Sequence, residues 1–267
     1  MKTKLELNNE ELRTLILETL KENKKSQFVS FNNCVADKAL SKGLLKQNTS
    51  GCYTYTSAHL EKEDTARVQN ILWDLIIEGI IRPGLGDGVN NDLPFFHVTE
   101  KGEQILSSDK PTPYDPDSYL KQLLEDIPNI DRVVINYLEE SLKTFRIGCY
   151  LSSTISLGCA SEKVFLLLIE SFKGSMSKEE SKAKFTKATE GKTIKRQYDE
   201  FMKYYSSTFK QKLNGDLREG FDTTVLGVFE MIRMNRNDAG HPTGKEIERD
   251  VLYANLIVFK TYIKKVY

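Results

Sequence analysis

The chain has 267 residues, 39% hydrophobic and 28% charged, a composition that excludes wholesale disorder and allows one large or two ordinary domains. Its 38 Lys+Arg balance 38 Asp+Glu, which excludes a polycation coating nucleic acid and leaves only local patches open. No apolar run reaches the ~20 residues of a membrane span. Met1-Lys2-Thr3-Lys4-Leu5-Glu6 holds no apolar signal core, so a cytoplasmic protein without membrane contact is expected.

In chain order, Asn8 or Asn9 can cap a first helix with Leu12, Leu15, Ile16 and Leu20 at helical spacing. Gln27–Phe31 reads as a short strand and Cys34–Ser41 as a second helix, whereas Gln47–Ala58 is polar and without period. A third helix is predicted from Lys62 to Glu78, with Val68, Ile71, Leu72, Leu75 and Ile76 inward and Gly79 as its stop. Ile80-Ile81-Arg82-Pro83 and Leu93–Val98 read as strands around the turn-rich loop Gly84–Asp92, and Thr99–Leu106 as a closing helix.

Three prolines, Pro111, Pro113 and Pro116, then interrupt the chain, with Asp115 as N-cap and Pro116 as first residue of a new helix. The pattern changes here: helices and short extended runs precede it, and almost only helices follow. We therefore divide the chain into residues 1–107, a linker 108–116 and a helical bundle 117–267. Neither part is strongly charged, with 14 Lys+Arg against 16 Asp+Glu in residues 1–110.

In the bundle, Tyr119, Leu123, Leu124 and Ile127 open a helical run that Ile130–Phe145 continues. Tyr150–Phe172 is a long apolar helix whose first half carries Ser152, Ser153, Ser156, Gly158, Cys159 and Ala160, a small-residue face suited to another helix or a second protomer. The helix Phe221–Arg236 has an apolar stripe (Phe221, Val225, Val228, Phe229, Ile232) that runs on to Arg236, a cation that needs a partner if it is buried. Gly240 and Pro242 break the helix around His241. Thr243 and Glu246 fit a capping box for a last helix with Ile247, Val251, Leu252, Leu256, Phe259 and Ile263 inward. Arg236 and His241 would then converge beside a helix N-terminus that attracts anions.

The four cysteines, Cys34, Cys52, Cys149 and Cys159, form no Cys-x-x-Cys pair, and His59, His97 and His241 are scattered. No metal site and no cofactor are expected, and the thiols should be reduced and mostly buried. A phosphate-binding Gly-x-x-x-x-Gly-Lys-Ser/Thr loop and a His-Glu-x-x-His pair are both absent.

Two resemblances follow from these residues. Trp73-x-Leu75, Glu78-Gly79-Ile80-Ile81 and Phe96-His97-Val98-Thr99-Glu100-Lys101-Gly102 together resemble the winged helix-turn-helix superfamily, whose members often place a helix in the DNA major groove. The third helix carries Glu61, Glu63, Asp64 and Asp74 against Lys62 and Arg67, and the loop carries Asp87 and Asp92, a charge set that partly repels phosphate. DNA contact and protein contact both remain open for this domain.

Arg236-Asn237-Asp238-Ala239-Gly240-His241 (arginine, a polar residue, three more residues and histidine), with Tyr150 and Ser156–Lys163 upstream, resembles the HEPN superfamily (higher eukaryotes and prokaryotes nucleotide-binding). The resemblance implies a metal-independent endoribonuclease or RNA-binding protein, often in phage defence, stress response or toxin–antitoxin systems, acting as a homodimer with two motifs facing one cleft. Carried over, Arg236 and His241 would be the catalytic pair and Asn237 the polar neighbour. We add Glu162 from helix placement, as a partner that pairs Arg236 or orients His241. Histidine suits proton transfer near neutral pH, and a guanidinium suits charge on phosphate oxygens. Thr243 stands where some toxins of the family carry a tyrosine modified by an antitoxin, so that regulation is not expected. The alternative is a non-catalytic DNA-binding regulator or dimerising scaffold, with Arg236 a structural pair for Glu162.

Residues 173–212 hold 11 Lys+Arg against 5 Asp+Glu. Lys192, Lys195 and Arg196 lie beside Tyr198, a pattern that suits single-stranded RNA through phosphate attraction and base stacking. The competing reading is a solvated helix pair whose aromatic residues are buried.

Overall fold

The computed structural model describes residues 4–45, 59–107, 112–242 and 244–267, so the segment Gln47–Ala58 and the cap expected at Thr243 lie outside the described residues. The chain is mainly helical, with a small antiparallel sheet, and divides into two compact units, Met1–Ser118 and Tyr119–Tyr267. No described helix is long and apolar enough to cross a membrane.

The first unit opens with α1 (Asn9–Glu22). Asn8 accepts from the Glu10 and Glu11 amides, and Glu11 reaches back to the Asn8 amide, so both ends of a capping box are made. Strand β1 is Lys25–Gln27, and α2 runs over Phe28–Ser41. The strand expected over Gln27–Phe31 is thus shifted toward the N-terminus, and the helix expected from Cys34 starts six residues sooner. The reason is spacing: Phe28 packs on the core, and Phe31, Val35 and Ala39 follow it on one helical face, where both Phe28 and Phe31 meet the Phe96 ring.

Helix α3 (Lys62–Ile77) buries Val68, Ile71, Leu72 and Leu75, and ends where Gly79 takes φ +70. Strands β2 (Ile81–Pro83) and β3 (Phe95–Val98) follow, then α4 (Glu100–Leu106), capped by Thr99. The sheet order is β1-β3-β2, with Lys25 opposite His97 and Ile81 opposite Val98, so β3 is central and buries Phe96 and Val98 on the helices.

Next along the chain, Asp115 accepts from the Ser118 amide at 3.2 Å, the expected cap of α5 (Pro116–Asp126), most of which belongs to the second unit. Helices α6 (Arg132–Arg146) and α7 (Tyr150–Gly174) come next. Tyr119, Leu123, Leu138 and Leu142 are buried as their spacing predicts, whereas Leu124 and Val133 are exposed. Helices α8 (Glu179–Thr189) and α9 (Ile194–Tyr204) lead into a π-helical turn, Tyr205–Phe209. After α10 (Gly215–Gly220), a second π-helical turn, Phe221–Gly227, runs into α11 (Val228–Gly240), and α12 (Arg249–Val266) closes the chain.

Helix α7 is the centre of the bundle, packed by α6, α11 and α12. Its small residues serve these neighbours. The hydroxyls of Ser141 and Ser153 cross-bond the α6 and α7 backbones at 2.9 and 2.8 Å, and Tyr262 of α12 donates to the Ser161 carbonyl at 3.2 Å. Phe165, Phe172, Phe185, Tyr198, Phe201 and Phe229 form a continuous aromatic cluster that ties α8, α9 and α11 to α7.

Candidate functional site

The site expected around Arg236 lies where α11 crosses α7. A Cβ on Gly158 would fall 2.2 Å from Arg236 Cγ and 2.4 Å from its Cβ, so only glycine lets the arginine stem lie across α7. The guanidinium then sits beside Glu162, one turn further along α7, with Nε 3.8 Å from Oε1. Arg236 Nη1 donates to Asn237 Oδ1 at 3.3 Å. Arg236, Asn237 and Glu162 are therefore brought together.

The pair is loose. The Arg236 side chain is 35% exposed and that of Glu162 16%, and Arg236 Nε has no hydrogen-bond partner among the described residues. Burial pushes the Glu162 carboxyl up from its ordinary value, against the pull of Arg236 and Arg233. The arginine is half-buried rather than enclosed, because it lies at the rim of the α7–α11 contact, one turn past the buried Ile232.

Sequence reasoning missed three neighbours. Cys159 touches the guanidinium, and burial together with Glu162 pushes its thiol up, which keeps it protonated. Arg233 and Glu230 precede Arg236 at three-residue steps on α11 and pair with each other at 2.8 Å. That spacing was legible, since residues three apart share a helix face.

His241 makes no described hydrogen bond or ion pair with Arg236. It is the C-cap residue of α11, exposed, with extended backbone, and its amide donates to the Asn237 carbonyl at 3.1 Å. No hydrogen bond or ion pair joins its imidazole to another described residue. The last helix starts later than the sequence pattern suggests. Residues 244–248 are not helical, α12 begins at Arg249, and Ile247 lies outside it. Lys245 pairs with Asp238 of α11, and the Thr243 cap lies outside the described residues.

A cleft of about 240 Å³ lies on the adjoining side of α11, between Thr154 of α7, Asn235 and Asp238 of α11, Lys245, and Val251 and Asn255 of α12.

The basic segment divides in two. Lys192, Lys195 and Arg196 are exposed at the first turn of α9, which Thr193 caps, and none of them forms an ion pair with a described residue. Tyr198 is not a stacking platform: its ring stacks on Phe229 at 5.5 Å and tilts on Phe165 at 5.5 Å. Burial, then Glu230, pushes its hydroxyl up to about 12. The aromatic half of the expected RNA patch is consumed by packing, because helical spacing turns Tyr198 and Phe201 onto α7.

In the first unit, the third helix spends its charges internally. Asp64 is fully buried and accepts from the Leu5 amide at 2.8 Å, while Arg67 bonds to Asp64 and Asn9 at 3.0 Å and to the Leu7 carbonyl. Trp73 and Ile77 on the same helix are 47% and 76% exposed. Of the cysteines, Cys34 and Cys159 are half-buried and Cys149 exposed, all three free, so the expectation of buried thiols is corrected; Cys52 lies outside the described residues. No group of three or more His, Cys, Asp or Glu that could hold a metal occurs among the described residues. No family model, no curated protein and no solved structure matches the chain.

Proposed function

We propose that the chain is an RNA-directed protein of HEPN type, a metal-independent endoribonuclease whose active form is a homodimer. The observation that carries this reading is Arg236: a guanidinium seated on a glycine, loosely paired and a third exposed, at the end of α11 with a free histidine five residues on. In the reaction, the RNA 2′-hydroxyl attacks the adjacent phosphorus and the 5′-oxygen leaves, giving a 2′,3′-cyclic phosphate. Arg236 donates to the non-bridging oxygens as charge builds, and Asn237 holds its Nη1. His241 takes or supplies the proton. An exposed His241 that makes no described bond with its own Arg236 fits a cleft completed by a second copy. Lys192, Lys195 and Arg196 add phosphate attraction without base stacking.

The first unit is read as a winged helix, supported by the order α1-β1-α2-α3-β2-β3 and the central β3. Its role is protein contact rather than DNA binding. Arg67, the cation best placed on the third helix, is committed to Leu7, Asn9 and Asp64, and the exposed Trp73 and Ile77 suit an apolar partner surface.

The test is incubation of labelled structured and unstructured RNAs with EDTA, using wild type, Arg236→Ala and His241→Ala. Cleavage by wild type alone, leaving 2′,3′-cyclic ends, is expected. Cleavage that persists in both variants, or none by wild type, overturns the catalytic reading in favour of the non-catalytic scaffold.

A further inference from the structure

We infer that the cleft between α7, α11 and α12 is a nucleobase pocket, which reads one base of a bound RNA. The inference rests on the proposed function for the identity of the strand, but the pocket itself rests on its own chemistry.

Thr154 is 2% exposed and lines the cleft, and its hydroxyl has no hydrogen-bond partner among the described residues. A buried hydroxyl without a partner costs free energy, so an interior normally supplies one. Asn255 is also 2% exposed and lines the same cleft, on a face of α12 that is otherwise Leu252, Leu256 and Phe259. Neither its carboxamide nor that of Asn235 bonds to another described residue. Three neutral groups that both donate and accept thus line one space, and the Thr154 hydroxyl is buried there without a described partner.

The remaining lining decides what they hold. Val251 and Ile247 offer apolar contact for a flat ring. Lys245 is already paired with Asp238, and Glu246 and Glu248 add negative charge, so a phosphate is repelled and the ligand group is uncharged. At about 240 Å³ the cleft has room for one flat base. Carboxamides and hydroxyls beside apolar walls are the means by which proteins read the edge of an unstacked base.

Position links the pocket to the chemistry. Asn235 and Asp238 flank Arg236 and Asn237 on α11, and Thr154 lies one turn before Gly158, on which Arg236 rests. A base in the cleft therefore lies against the turn of α11 that carries Arg236 and Asn237.

The experiment is ligand-observed saturation-transfer NMR on the full chain with adenosine, guanosine, cytidine and uridine, and ribose 5-phosphate as control. At least one nucleoside is expected to bind and to be displaced by single-stranded RNA containing that base, while ribose 5-phosphate does not bind. Thr154→Val and Asn235→Ala should each weaken binding about tenfold, the scale of one lost hydrogen bond. Val251→Trp, on an exposed position, should fill the cleft and abolish it. No nucleoside binding, or equal binding to Val251→Trp, overturns the inference. Nucleoside binding that passes these controls in a protein that cleaves no RNA keeps the pocket and removes the ribonuclease. RNA cleavage without base preference or nucleoside binding removes the pocket and keeps the ribonuclease.

Discussion

Each unit holds an arginine set against a glutamate, and the two pairs are built differently. Arg13 of α1 and Glu78, at the end of α3, meet at 2.6 Å with side chains only 5% and 3% exposed. Arg236 and Glu162 stand 3.8 Å apart, 35% and 16% exposed. The first pair is closed, its charges neutralised by each other where no ligand reaches. The second leaves a guanidinium with donors to spare. Each arginine leaves its Nε without a described hydrogen-bond partner, so the difference lies in distance and exposure: Arg13 is enclosed with its carboxylate, whereas Arg236, laid across Gly158, keeps its guanidinium partly open to solvent.

The largest expected effect on stability is therefore in the first unit. Arg13→Ala removes the 2.6 Å partner of the buried Glu78 carboxylate and should cost about 3–5 kcal/mol in urea unfolding of the chain. A loss below about 1 kcal/mol would put the Arg13 pair in the same loose class as Arg236. Gly158→Ala comes next: its Cβ would overlap the Arg236 stem, and a loss of about 1–3 kcal/mol is expected together with loss of RNA cleavage, since the guanidinium is pushed off α7. Unchanged cleavage in that variant would show that the seating of Arg236 is irrelevant to activity.

His241→Ala should change stability by less than about 0.5 kcal/mol, as an exposed residue whose only described bond is through its backbone, yet lower cleavage by about 10²–10⁴. Thermal unfolding beside the cleavage assay separates the two. The smallest effect concerns Lys260, whose ammonium lies 3.8 Å over the Tyr119 ring and bonds to Gln122. Burial, then Lys264, pulls it down to about 8, against Asp126. A lowered lysine costs stability while both states are charged, below about pH 8. That cost is relieved as pH rises toward 10.5, where the unfolded chain still holds the proton. Lys260→Met should thus gain most over wild type near neutral pH, and the gain should shrink in melts taken from pH 8 to pH 10.

Local pattern carried much of the architecture. The Asn8–Glu11 box, the stop at Gly79, the Asp115–Pro116 start and the end of α11 before His241 are each set by residues within one turn of the event, and such signals are readable along a chain. Pairing of Arg236 with Glu162 was also legible, because both lie on the inward faces of long periodic helices. Where the sequence misled, a distant contact had overruled a local one. Phe28 entered α2 because the Phe96 ring lies under it, a contact about seventy residues away along the chain.

What the sequence determined by itself was thus a helical chain with a small sheet, the order of its elements and the residues flanking Arg236, since these follow from propensity, capping and period. Only the tertiary structure decided that Tyr198 faces Phe229 instead of solvent, that Gly158 receives the Arg236 stem, and that Thr154, Asn235 and Asn255 share one cleft. Those three polar residues come from three helices up to about a hundred positions apart, and no spacing along the chain can bring them together before the helices pack.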